Sequence, residues 1–356
     1  MTLNRSEFGI FKDQKIFRYD FATEKGFSYS LINYGATLTD VRMADREGRI
    51  LPVITGYDTV EEYAQNGGCF GATIGRVGNR IAGAAFTIEG TTYKLEANNG
   101  PNNLHGGPVN FNRQVWEGES FEKDGKAGVR FSYTSPDGES GFPGNLKTSV
   151  TYTFSEEGEI QIDYKSESDK TTPVNLTNHT YWNMAGLTGS ETIKDQELQL
   201  KAASYTPVDE FQIPTGIAPV EGTPFDFRAF TPLGRQDAPE TLYDHNWVLD
   251  GEGMREAAIL IDRPSGRKLT VLTDQPGIQV YTAGGMGDAA ERNGRTYPFM
   301  GAALETQNFP NCVNDPDFPD CLLRPGEVYE STTIFRLELE SGERRAESGE
   351  LKEERG

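Results

Sequence analysis

Lys147–Tyr164 reads KTSVTYTFSEEGEIQIDY. The first half sets Val150, Tyr152 and Phe154 on alternate positions, and the second half does the same with Ile160, Ile162 and Tyr164. Side chains two apart share one face of a strand. Each half therefore predicts a strand with one apolar face. The SEEGE between them, polar and glycine-bearing, predicts the turn of an antiparallel pair.

The same pattern extends outward. Phe27–Asn33 alternates, Ala36–Met43 follows a Tyr-Gly turn, and Ile50–Thr55 follows Arg46-Glu47-Gly48. Phe86–Leu95 reads as a hairpin turning at Glu89-Gly90. Further strands are predicted at Val129–Thr134, Gln196–Ala202, Lys268–Thr273, Ile278–Ala283 and Tyr329–Leu339. One helix is expected after Asp58, with Glu61 closing a capping box. Many short strands with Gly and Pro turns, and no alternation of strand with helix, predict an all-β sandwich or barrel. Long polar loops at 97–114, 135–146, 204–240 and 305–326 are the places to look for function.

The chain has 356 residues and a net charge of -20. That charge argues against nucleic acid as a partner and against anionic membrane surfaces. No apolar run approaches a membrane helix in length, and the N-terminus carries no secretory h-region. The three cysteines, Cys69, Cys312 and Cys321, form no disulfide framework. A cytoplasmic protein without membrane or nucleic-acid partner is expected, as monomer or homodimer. Residues 1–340 are predicted as one domain. The charged 341–356, with nothing to bury, is predicted as a disordered tail.

Polar residues gather in a few segments. Asn175–Gly186, NLTNHTYWNMAG, mixes asparagines, His179 and aromatic rings. That is the mix a sugar pocket uses: rings for the CH faces, amides and imidazole for the hydroxyls. The other two histidines lie in NNLHGG (His105) and YDHNW (His245). Gly75–Arg80, GRVGNR, matches no phosphate loop and reads as a tight turn presenting Asn79 and Arg80. Asp244 opens a strand beside an aromatic, and a carboxylate suits vicinal sugar hydroxyls. Glu305, in ALETQNFP, is expected at a strand-to-loop junction on the rim of a pocket, where a carboxylate can act as general base. Zinc sites show close His or Cys pairs that this chain lacks, so no metal is expected. There is no G-x-S-x-G elbow for a serine nucleophile.

Taken in order, GRVGNRIAGAAFTIEGTTYKLEANNGPNNLHGG, NLTNHTYWNMAG, YTPVDEFQIPTG, GTPFDFR, YDHNWVLD and ALETQNFP…LRPGEVY resemble the aldose 1-epimerase (galactose mutarotase) family. The resemblance covers roughly Phe27 to Leu339. It implies a large antiparallel β-sandwich that interconverts anomers of free aldohexoses without a cofactor. It also implies Glu305 as general base and His179 as general acid. Asn79, Arg80, His105, Asp244 and Gln279 would hold the sugar, a small monosaccharide. Trp182, Met184, Val77-Gly78 and Asn311-Cys312 depart from the family pattern beside those positions. Two alternatives stand next to this reading: a hexose 6-phosphate as substrate, and a sugar-binding module that does no chemistry.

Overall fold

The computed structural model describes residues 1–65, 67–238, 241–286 and 296–340. The hairpin read from Lys147–Tyr164 is there, as Leu146–Phe154 paired with Glu159–Ser168. Val150, Tyr152, Phe154, Ile160 and Ile162 are fully buried, while the residues between them are half exposed. The hairpin sits in a nine-stranded antiparallel sheet. In spatial order the strands are Glu117–Lys123, Lys126–Ser135, the hairpin, Tyr329–Leu339, Arg267–Thr273, Arg255–Ile261, Glu197–Leu200 and Thr231–Pro232.

A second antiparallel sheet of six strands lies against it. Its order is Tyr181–Trp182, Ala302–Gln307, Gly277–Tyr281, Asp244–Val248, Ser204–Thr206 and Ala218–Pro219. One face of this sheet, with Trp247, Ile278, Val280, Ala302 and Leu304, shares a single apolar core with Val150, Val271 and Phe335 of the long sheet. Trp182 packs on Phe335 with ring centroids 5.1 Å apart. Because side chains alternate, the opposite face carries Asp244, Gln279 and Glu305. The predicted β-sandwich is thus the architecture, and its inner packing leaves one sheet face free for chemistry. A third, five-stranded sheet formed by Thr2–Phe11, Gln14–Ala22, Ser28–Ile32, Thr37–Ala44 and Ile50–Pro52 closes the core with Tyr19, Phe21, Leu31 and Leu38.

The Phe86–Leu95 hairpin turns at the expected pair. Glu89 and Gly90 both take positive φ, 50° and 80°, as a two-residue type I′ turn demands. The helix, Val60–Gln65, begins one residue later than expected. Thr59 Oγ1 accepts from the Glu62 N–H at 3.2 Å, and the Glu62 carboxylate accepts from the Thr59 N–H at 3.1 Å. Thr59 and Glu62 therefore form the capping box, not Asp58 and Glu61. This register makes Val60 the first helical residue and buries it with Ile16, Ile32 and Tyr34. Thr59→Ala is expected to cost about 1 kcal/mol, seen as a fall of roughly 2 °C in thermal midpoint with turnover unchanged.

Among the described residues no helix is long and apolar enough to cross a membrane. Cys312 and Cys321 are free and buried. The tail predicted to be disordered, 341–356, lies outside the described residues.

Candidate active site

Four short segments converge over the free face of the six-stranded sheet. Thr177–Asn178 pairs with Thr73–Ile74, which fixes the segment leading to His179. The backbone of His179 is then clamped: its N–H donates to Ala72 O, and its C=O accepts from Gly71 N–H, each at 3.0 Å. Gly71 is required there. Its φ is +67°, and a Cβ would stand 1.8 Å from Leu38 O. Asn103–Leu104 pairs with Arg80–Ile81, which brings the histidine after one beside the Asn79–Arg80 turn.

The side chains meet in a cavity of about 240 Å³ lined by Asn79, Arg80, His105, His179, Asp244 and Glu305 among others. His179 Nε2 lies 3.5 Å from Glu305 Oε1. The His105 ring stands edge-on to His179, centroids 5.3 Å apart. Arg80 Nη2 faces Asp244 Oδ2 at 3.6 Å, and Arg80 Nε donates to Asn99 Oδ1 at 2.9 Å.

Sequence reasoning and structure differ in four places. Glu305 is not on a rim: it is the fourth residue of Ala302–Gln307, a strand buried throughout. Gln279 does not line the cavity. It is 2% exposed and reaches the site through Asp244, donating to Oδ1 at 2.7 Å. The asparagines of NLTNHTYWNMAG serve backbone and not ligand: Asn175 donates to Asn308 O, Asn178 to Gly71 O, and Asn183 to Glu191 O and Met300 O. His245 points away from Asp244's face and packs on Phe225, centroids 4.5 Å apart. Conversely, Tyr181 and Cys69 line the cavity and were not singled out. Tyr181 lies two residues from His179 with ring centroids 4.8 Å apart, so same-face spacing was the available signal.

Burial sets the protonation. It pushes His179 down to about 4 and His105 well below the usual imidazole range, where His179 and Arg80 push in the same direction. It pushes Glu305 well above the carboxyl range; Asp244 adds to this and Arg80 opposes it. Burial thus disfavours the charged form of both side chains in the sugar-free site, the imidazolium of His179 and the carboxylate of Glu305. The carboxylate and imidazolium that a general base and a general acid require differ from the neutral pair only in which side chain holds the proton.

The donor atoms of His105, His179 and Glu305 lie within 4.8 Å of one another. A metal fits them poorly. His105 Nδ1 accepts from Asn79 N–H at 3.1 Å, so the neutral ring carries its proton on Nε2. Coordination through Nε2 would break that bond. The ring is set up to donate to an oxygen.

The aldose 1-epimerase family model matches residues 18–336. The chain belongs to the aldose 1-epimerase family. It is 46% identical to galactose mutarotase of Sus scrofa over 86% of this chain and 89% of that protein. It is 36% identical to aldose 1-epimerase of Escherichia coli K12, over 88% and 92%. The crystal structure of galactose 1-epimerase from Lactobacillus acidophilus superposes with a TM-score of 0.85 at 27% identity, covering 96% of this chain and 99% of that one. Like other members of the aldose 1-epimerase family, this protein is an isomerase, and its fold is theirs.

Proposed function

We propose that this chain interconverts the α and β anomers of free aldohexoses such as glucose and galactose, with Glu305 as general base and His179 as general acid. The observation that carries the reading is the buried pair His179 Nε2–Glu305 Oε1, 3.5 Å apart at the cavity. In ring opening the C1 hydroxyl gives its proton to the Glu305 carboxylate. The bond from C1 to the ring oxygen breaks, and His179 supplies a proton to that oxygen. The aldehyde rotates about C1–C2, and reclosure reverses both transfers. Each opening moves the pair from carboxylate and imidazolium to carboxyl and imidazole, and each closing moves it back. Burial favours the second arrangement in the empty site. Sugar hydroxyls donating to Glu305 would favour the first, since hydrogen bonds to a carboxylate stabilise its charge. Asp244, braced by Gln279 and Arg80, would accept sugar hydroxyls. His105 Nε2–H, Arg80 and Asn79 would donate to ring and anomeric oxygens.

A hexose 6-phosphate is the weaker reading. Of the arginines near the motifs, Arg76 is consumed by Ser135, Pro136, Pro143 and Gly144, and Arg113 donates to Ala64 O. Among the described lining residues Arg80 is the only strong cation. We take residues 1–340 as one domain, since one apolar core joins Tyr19 to Leu337. A reducing, cytoplasmic location suits the free buried thiols. Polarimetry of freshly dissolved α-glucose and α-galactose tests the activity. Accelerated mutarotation of the free sugars, exceeding that of their 6-phosphates, is expected. Sugar binding without acceleration would leave only a binding module.

A further inference from the structure

The sheet face that carries Glu305 stays polar beneath the cavity. Asn246, Gln279 and Glu305 stand opposite one another on three adjacent strands, and Gln307 follows Glu305 on the same face. Gln307 is 0% exposed and Asn246 is 1% exposed. Both polar atoms of Gln307, both of Asn246, Gln279 Oε1, Thr177 Oγ1 and Glu305 Oε2 find no hydrogen-bond partner among the described residues. Six of these seven atoms lie on the three adjacent strands, and the seventh is on Thr177. An unpaired buried polar atom costs about 1–3 kcal/mol, and ordered water is the usual partner for such atoms.

Gly78 provides the room. A Cβ there would stand 3.2 Å from Gln307 Oε1 and 3.2 Å from Thr177 Cγ2, so a glycine keeps a methyl-sized space above the amide. Gln307 does not line the sugar cavity. Its amide serves the interior.

We infer that Gln307, with Asn246 and Thr177, forms a buried, water-bridged shelf that hydrogen-bonds Glu305 Oε2 from behind and sets how readily this carboxyl exchanges its proton. Gln307 is thus a positioning residue for the reaction, and the inference rests on the reading of Glu305 as proton acceptor. The other groups around Glu305 do not supply this support. Asp244 favours the protonated carboxyl, and Arg80 alone opposes it. His105 and His179 are pushed toward neutrality, and the thiol of Cys69 is pushed up to about 12. Tyr164 and Tyr181 are likewise pushed up and stay uncharged. A hydrogen-bond donor on Oε2 stabilises the carboxylate and lowers the pKa of Glu305. Removing the donor raises it, and favours the protonated carboxyl.

The test follows the Glu305 carboxyl itself. In sugar-free protein labelled with ¹³C at glutamate side-chain carboxyls, the Glu305 resonance is the one lost in Glu305→Gln. Its titration midpoint is expected to rise by about one pH unit in Gln307→Leu, a tenfold change in ionisation. Thr177→Val, nearly isosteric, should shift it less in the same direction and keeps the test alive if Gln307→Leu does not fold. Turnover at pH 7 should fall by roughly tenfold with KM within about twofold. A purely structural role would lower the melting temperature and leave the midpoint in place. A midpoint unmoved or lowered in the folded variants overturns the inference. Near-native turnover of Glu305→Gln would instead overturn the role of Glu305, whatever the titration shows.

Discussion

Glu305→Gln should lower turnover by on the order of 10²–10⁴-fold while the protein stays folded and still binds sugar. The amide matches the carboxyl in size and sits in a strand buried throughout, so packing survives. It cannot accept the C1 proton, and it leaves His179, 3.5 Å away, without a carboxylate partner. Affinity should change by no more than a few-fold, because Arg80, His105 and Asp244 remain at the cavity wall. Stopped-flow polarimetry gives the rate, and titration calorimetry with a non-mutarotating methyl glycoside gives the affinity. Turnover near the native value in a folded variant would refute the assignment.

The second large effect is expected at His179. His179→Asn leaves the ring oxygen to be protonated by water, and turnover should fall by roughly 10²-fold or more. The pH profile of kcat/KM carries more information. In the native protein His179 gains a proton only below about pH 4. Glu305 is then protonated as well, and no base remains, so the rate should rise with pH through about 4. It should fall again where Glu305, pushed above the carboxyl range, loses its proton and no acid remains. His179→Asn should abolish the limb near pH 4 and keep a titration belonging to Glu305. An acid limb unchanged in the variant would assign it to another group. The double variant should be little worse than the worse single one, since the two residues act on one reaction coordinate.

How much of this was legible depended on whether the signal was local. Alternation in Val150–Tyr164 is local, and so is the Glu89-Gly90 turn; both were read correctly, down to the turn residues. Thr2–Phe11 escaped notice because its residues are exposed or half exposed along its length, so no apolar alternation marks it. The capping register turned on Val60, whose burial against Ile16 and Tyr34 is a tertiary fact. In the site, the motifs named Asn79, Arg80, His105, His179, Asp244 and Glu305, and these converge in space. What sequence could not supply was depth. Glu305 and Gln279 face inward because of the pairing of Asp244–Val248, Gly277–Tyr281 and Ala302–Gln307, which no single segment specifies. Protonation was missed for the same reason, since desolvation is a property of the assembled sheet pair.

The strand pairing around the site also bears on how the chain comes to be active. Asn79 and Glu305 stand 226 residues apart in the chain (305 − 79), and His179 lies about midway between them. Closing so long a loop delays such contacts during folding. Partially refolded chains would therefore hold sheets before they hold a site. Regained mutarotation should lag behind the return of the strand signal in circular dichroism. Catalysis then reports the last step of assembly, the one spectroscopy of the backbone is least able to see.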